Sequence, residues 1–336
     1  MGGRALQKYG IKTRRYDTPE YLELVKELKP RIEKIFNTEV HNVRSYNTKE
    51  SHGDMDLLIL NDGNLGKINE KLIANFKDVE IVNCNGGVFS FAYKDFQIDI
   101  IPQPISKWEV AKCFFDSDPT GNLMGKLAHK FGLKYGFAGL VYPFRNYDGI
   151  FTKDITISLD NAKIFKFLGL DYNRYLQTFD TLLDIFDYII NSKYFNVDNY
   201  IMSNLNSIDR KRNIKRKTYQ EFLTYVNLKQ NENINKYEFS KNKEDYLQMI
   251  NDYFPEANLL VKLNKFKLID IENKNISKKF NGNTVIELFP ECTDRKLGQV
   301  LYMYKEFLGE AYIRFMLNST SEEIKSNFSI WYKKIM

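Results

Sequence analysis

The decapeptide Ser51-His52-Gly53-Asp54-Met55-Asp56-Leu57-Leu58-Ile59-Leu60 constrains this chain more than any other stretch. Two carboxylates stand two residues apart at the mouth of an apolar run. Side chains alternate along a strand, so Asp54, Asp56, Leu58 and Leu60 would share one face, and Met55, Leu57 and Ile59 the other. Neighbouring carboxylates repel and are costly unless a cation neutralises them. Hard oxygen ligands on a strand suit Mg²⁺. A simple turn leading into a strand would use the same residues, so the pair alone leaves two readings open. A third acid separates them. Phe96-Gln97-Ile98-Asp99-Ile100-Ile101-Pro102 also reads as a short strand, with Gln97, Asp99 and Ile101 on one face and Phe96, Ile98 and Ile100 on the other. An aspartate among isoleucines is disfavoured in a strand interior and needs a partner. Three such acids can hold two metal ions that clamp the attacking and leaving oxygens of an in-line phosphoryl displacement.

These motifs resemble the nucleotidyltransferase superfamily of DNA polymerase β, with its Gly-Ser turn, following Asp-x-Asp and third Asp on a later strand. Here Ser45 precedes Asp54-Met55-Asp56, and Glu50-Ser51-His52-Gly53-Asp54-Met55-Asp56 is similar to family X polymerases. Ile98-Asp99-Ile100 matches the third-aspartate strand. Phe114-Phe115-Asp116-Ser117-Asp118 resembles the aromatic pair and Ser-Asp of the polymerase nucleotide pocket, and Ser158-Leu159-Asp160 through Leu170 the closing segment of that core. The resemblance spans roughly residues 39–172. It implies two Mg²⁺ ions, with Mn²⁺ as an alternative, held by Asp54, Asp56 and Asp99, and an NTP substrate contacted by Ser45, Lys49, Gly53, Phe115 and Asn122. The usual Gly before the Ser is Arg44, so a differently shaped phosphate cradle is expected. Lys49 is the nearest candidate for the cation that the family places between Ser and Asp-x-Asp.

The chain has 336 residues, 43% hydrophobic and 27% charged, which places it among globular proteins with room for two or three domains. No stretch approaches the roughly 18 uninterrupted apolar residues of a membrane span, and Met1–Leu6 lacks a signal-peptide core. Cys84, Cys113 and Cys292 are far apart with no Cys-x-x-Cys spacing, which predicts free thiols, no zinc site and a cytoplasmic setting. The net charge of +6 is unevenly spread: Asp209–Lys217 holds six cations against one acid. Arg210, Lys211, Arg212, Lys215 and Arg216 are candidates for a groove that takes nucleic-acid phosphates, with a solvated helix face as the other reading. Tyr200, Tyr219, Phe222 and Tyr225 could stack bases. The helical spacing of the last three favours core.

Periodicity predicts an α+β chain: a polymerase β-like palm with a small, mixed, mostly antiparallel sheet and flanking helices, then a helical C-terminal domain. The expected divisions are 1–38 (basic segment and helix), 39–172 (catalytic palm) and 173–336 (helical, nucleic-acid binding). Thr18-Pro19-Glu20 reads as an N-cap with Pro at N1. Strands are expected over 39–46, 55–60, 79–82, 88–93 and 96–101, with hairpin turns at Asn85-Gly86-Gly87 and Lys94-Asp95. Residues 1–16 read as irregular and basic, 132–149 as an irregular Gly/Tyr/Pro-rich stretch and 227–242 as a polar loop; helices are expected to about Phe36, at Ile68–Phe76 and Leu123–Phe131, and almost throughout from about Asp160. Phe280–Leu288 and Leu297–Leu301 resemble a segment of bacterial CCA-adding enzymes and poly(A) polymerases, in which one Gly opens a helix and a second, here Gly298, lets the next helix pack closely. That resemblance favours an RNA 3′ end over duplex DNA as acceptor. The expected activity is NMP transfer to a nucleic-acid 3′-hydroxyl without a template, releasing pyrophosphate. The alternatives are NMP transfer to a protein or small molecule, a family X-like DNA polymerase, or a non-catalytic nucleic-acid-binding module.

Overall fold

The computed structural model describes residues 3–61, 63, 66–229 and 236–335. The first part of the chain runs β1 (Tyr16–Asp17), α1 (Thr18–Phe36), β2 (Val40–Asn42), β3 (Ser51–His52), β4 (Asp54–Asn61), α2 (Ile68–Asn75), β5 (Asn83–Asn85), β6 (Val88–Tyr93), β7 (Phe96–Pro104), α3 (Trp108–Phe115) and α4 (Thr120–Lys130). Five of these strands form the principal sheet in the order β2-β4-β7-β6-β5. Its pairings are antiparallel except that of β4 with β7, which is parallel. The chain is thus α+β, with a mixed, mostly antiparallel sheet flanked by helices.

Alternation makes this sheet two-faced. Met55, Leu57 and Ile59 of β4 join Ile98 and Ile100 of β7 in one core, under Tyr21, Leu24, Leu28, Ile32 and Phe36 of α1 and Leu72 of α2. On the other face Leu58 and Ile101 pack against Trp108 and Ala111 of α3. Both faces are therefore apolar over the middle of the sheet, and the acids occupy one end of the second face. Pro102 and Pro104 are tolerated in β7 because the pairing with β6 ends at Ile100, so beyond it β7 is paired only with β4.

Several elements differ from expectation. The strand expected over 39–46 is only Val40–Asn42, although Val43 N still donates to Asp56 O at 3.0 Å. The strand expected at 79–82 lies at Asn83–Asn85. The two-residue turn at Gly86-Gly87, both with positive φ, places Asn85 opposite Val88 and so shifts the pairing. Val79 instead joins the core. The cap of α1 is Asp17, whose side chain accepts from Glu20 N at 2.9 Å, one residue before the expected Thr18. Thr18 Oγ1 is turned to Lys49 O.

The stretch read as irregular folds into β8 (Lys134–Gly136) and β9 (Gly139–Arg145), joined with β10 (Phe151–Ser158) in a second sheet ordered β10-β9-β8. The Gly136–Gly139 turn requires glycine at 139, where φ is +92° and a Cβ would sit 2.6 Å from Ser158 O. Helices follow: α5 (Asn161–Phe167), α6 (Tyr172–Leu176), α7 (Leu182–Ile190), α8 (Ser207–Asn213), α9 (Lys217–Leu228) and α10 (Leu247–Tyr253). Of the expected polar loop, 230–235 lies outside the described residues. Tyr200, Tyr219 and Phe222 are fully buried and Tyr219 Oη donates to Tyr200 O at 2.7 Å, so these rings are core and not base-stacking surfaces.

The chain divides into two compact units: residues 1–143 with 154–257, and residues 144–153 with 258–336. The boundary expected at 172 falls inside the first unit, which holds α5 to α10 together with the principal sheet. The second unit contains α11 (Leu259–Lys279), α12 (Gly282–Leu288), α13 (Asp294–Leu308), α14 (Tyr312–Asn318) and α15 (Ser321–Ile335). Its core gathers Phe280, Val285, Tyr304, Met316, Phe328 and Trp331. Here the expected roles of the glycines change. Gly282 is the closely packed one, with Leu297 Cδ2 at 3.2 Å from a Cβ placed on it, whereas Gly298 faces open space. Among the described residues no helix is long and apolar enough to cross a membrane. The three cysteines are free, Cys84 exposed and Cys113 and Cys292 buried.

Two substitutions test this arrangement. Ile98→Ala should cost about 2–5 kcal/mol, because it opens a cavity in the core beneath α1. Gly298→Ala, in the interior of α13 with room for a methyl group, should gain about 0.5–1 kcal/mol. Urea denaturation of each variant measures both.

Candidate functional site

The parallel pairing of β4 with β7 sets Asp54 opposite Gln97 and Asp56 opposite Asp99. These four side chains leave the sheet on the same face and at the same end. Asp54, Asp56 and Asp99 each present one carboxylate oxygen within 4.8 Å of the others. Among the described residues none of the three makes an ion pair within 4.0 Å. Neutral donors touch them instead: Gln97 Nε2 lies 3.0 Å from both oxygens of Asp99, and Gly3 N lies 3.3 Å from Asp54 Oδ2.

The electrostatics follow from this crowding. Burial, reinforced by Asp54, pushes the Asp99 carboxyl up to about 6, against hydrogen bonds from Ser90 and Gln97 that favour its ionised form. Burial also raises Asp54. Asp56 rises furthest, through burial and then the charges of Asp54 and Asp99. Three clustered acids store repulsion that nearby Lys49 offsets only in part and a divalent ion would relieve, and their oxygens are the hard donors that Mg²⁺ or Mn²⁺ takes. The residues present therefore fit such an ion.

The turn before the acids is held by a buried carboxylate. Asp116, at the end of α3 and 1% exposed, accepts from Arg44 N at 2.9 Å, Arg44 Nε at 2.7 Å and His41 Nε2 at 2.8 Å. Ser117 N donates back to Arg44 O at 2.7 Å. The Arg44 side chain thus points to Asp116 and clamps the turn to the end of α3. Next to it, Lys49 Nζ donates to Ser45 Oγ at 3.0 Å. Burial lowers the Lys49 ammonium, while the charges of Asp118, Asp54 and Asp56 raise it, so this cation faces the acids. Gly53 is buried at the entry to β4.

The other expected residues make the following contacts. Phe115 is partly buried against Leu58, Ile101 and Trp108, and its ring stacks on Phe137 at 6.0 Å. Asn122 Nδ2 donates to Asn213 Oδ1 at 3.2 Å, which ties α4 to α8. Within the basic run Arg210 Nη2 donates to Leu205 O at 2.9 Å, while Lys211, Arg212 and Lys215 are exposed. Arg216 is half-buried, and burial and the nearby Arg212 lower its pKa against the charges of Asp118 and Asp209. The run's own acid, Asp209, pairs at 2.7 Å with Lys126, which is nearly fully buried.

Asp118, the acid of the Ser117-Asp118 pair in the nucleotide-pocket motif, is assigned no role by the sequence. Its charge acts on Asp54, Asp56, Lys49 and Arg216. The fold makes Asp116 the buried anchor and Asp118 the exposed acid. Gln97 was visible in principle, since alternation puts it on the face of Asp99. No protein-family model matches the chain, and no curated protein sequence is similar to it.

The raised Asp99 carboxyl gives a pH dependence with a defined sign. The folded state binds this proton more tightly than the unfolded chain, whose value is the ordinary 3.8. The stability contribution is therefore complete below about pH 4 and is lost as pH rises through about 6. In EDTA, Asp99→Asn should gain on the wild type by on the order of 1–3 kcal/mol between pH 4.5 and 7. Urea unfolding at the two pH values measures this, and parallel stabilities would contradict it.

Proposed function

We propose that the chain is a divalent-cation-dependent nucleotidyltransferase with a polymerase β-like palm, which transfers NMP from an NTP to a 3′-hydroxyl and releases pyrophosphate. The observation that carries this reading is the cluster of Asp54, Asp56 and Asp99, with ligand oxygens within 4.8 Å of one another. Asp54 and Asp56 would hold both ions and Asp99 one of them. When bound, Mg²⁺ or Mn²⁺ neutralises charge on the phosphates and lowers the pKa of the attacking hydroxyl. The chain's own residues do the positioning. Ser45 and Lys49, already hydrogen-bonded to each other, are assigned to the β and γ phosphates. An arriving triphosphate favours the charged form of Lys49, offsetting the burial that lowers its pKa. The Arg44–Asp116 clamp fixes the residue next to Ser45, a task for which a glycine has no side chain.

The acceptor we assign is an RNA 3′ end, extended without a template. Support for a nucleic-acid acceptor comes from the exposed cations Lys211, Arg212 and Lys215, which lie in the same compact unit as the acids, and the choice of RNA rests on the resemblance carried by Phe280–Leu288 and Leu297–Leu301. Arg216, within electrostatic reach of Asp118, extends that charge toward the acids.

Incubation with Mg²⁺, each labelled NTP and either RNA or DNA primers tests the reading, with Asp54→Ala alongside. RNA primers should lengthen, and the variant should lose at least about 10³-fold in rate, as expected when a group that anchors the metal clamp is removed. Extension of DNA alone would point to a DNA polymerase. Label on protein with untouched primers would point to a modifying transferase, and absence of pyrophosphate with any acceptor to a non-catalytic module.

A further inference from the structure

Two of the three acids are held by a segment far from them in sequence. Residues 3–15 cross the end of the principal sheet at which the acids stand. Gly3 N donates to Asp54 Oδ2, and Gly3 O accepts from Thr13 Oγ1 at 2.8 Å, so the segment folds back on itself. Gly3 has φ +82°, and a Cβ there would sit 2.3 Å from Gly53 O. The backbones touch at the residue immediately before Asp54, and only glycine permits it. Two residues on, Ala5 N donates to Gln97 Oε1 at 2.9 Å. Gln97 is 2% exposed, and its Nε2 reaches both Asp99 oxygens.

The segment is anchored along its length. Leu6 is 1% exposed. Tyr9 Oη donates to Asn83 Oδ1 at 3.1 Å, Arg14 N to Asp95 O at 2.8 Å, and Arg15 Nη2 to Ser51 O at 2.8 Å. These partners lie on β5, in the β6–β7 turn and on β3, so the segment spans the sheet end and is not held at one point.

We propose that this strap is a positioning element of the acid cluster: Gly3 orients Asp54, and Ala5 orients Asp99 through Gln97. The proposal rests on the divalent-cation reading given above. The choice of Gln97 has a chemical logic. A lysine or arginine at that position would neutralise Asp99 itself and compete with an incoming cation. A neutral amide, its oxygen occupied by Ala5 N–H, can present only N–H groups to the carboxylate. It fixes the rotamer and favours the ionised form while leaving the charge for the metal. Such outer partners of a ligand change metal affinity by about 10–100-fold when removed.

Three variants test the strap. Ala5→Pro deletes the N–H that reaches Gln97. Gln97→Met keeps the volume of the side chain and removes its donors. Ala5→Ser keeps the backbone donor and serves as control. The readout is Mn²⁺ binding to the protein alone, followed by electron paramagnetic resonance of the free ion, with thermal unfolding in EDTA recorded for each variant. Ala5→Pro and Gln97→Met should each bind Mn²⁺ about ten-fold more weakly or worse, and Ala5→Ser as the wild type does. Should Ala5→Pro fail to fold, Gln97→Met alone gives the answer. Equal affinity in the wild type and in the folded variants would overturn the strap's role and leave the cation site standing. Tighter binding in the variants would also overturn it, since the segment would then obstruct the site. A wild type that takes no Mn²⁺ would overturn the cation reading and the strap's role together.

Discussion

The parallel pairing of β4 with β7 is the constraint on which the rest depends. It sets Asp56 opposite Asp99, the least favourable juxtaposition in the sheet by charge alone. The register is nonetheless strongly specified, because a slip of one residue would turn Met55, Leu57 and Ile59 out of the core beneath α1 and bring the acids into it. Apolar burial over the middle of both faces thus holds the acids together against their repulsion. Burial, with this repulsion added to it, raises the carboxyl pKa values at one end of the sheet, as in many sites that take a cation or a proton.

Around this end, the hydrogen bonds to Asp54 and Asp99 come from neutral groups. Asp116 draws in Arg44 and His41, so those side chains hold the turn and leave the acids alone. Gln97 and Gly3 offer amide donors only. Lys49 is the cation that faces the cluster, and it is hydrogen-bonded to Ser45 without an ion pair to any of the three acids. The result is a cluster that is organised but not neutralised.

Much of this was legible in the sequence, for identifiable reasons. Period-two alternation in Asp54–Leu60 and Phe96–Ile101 placed each acid on the correct face, since a strand's side-chain direction is a local property. The parallel partnership of the two strands is non-local and had to come from the fold. Val79 and Val82 looked like a strand, but the Gly86-Gly87 turn moved the pairing to Asn83–Asn85. Gly136 and Gly139 disguised a hairpin as an irregular stretch. The Asp116-Ser117-Asp118 motif does not reveal that its first acid is a buried anchor and its second an exposed acid whose charge reaches the cluster. The strap's contacts with Asp54 and Gln97 carry no sequence signal, because they are made by backbone N–H groups, which every residue but proline carries.

The divalent-cation site proposed at Asp54, Asp56 and Asp99 underlies the functional reading. Anomalous diffraction from crystals grown with Mn²⁺ tests it most directly. The account predicts an anomalous peak within coordination distance of carboxylate oxygens from all three residues, absent in crystals of Asp56→Asn. Well-ordered crystals with no peak between these carboxylates, or with an equal peak in the variant, would contradict it.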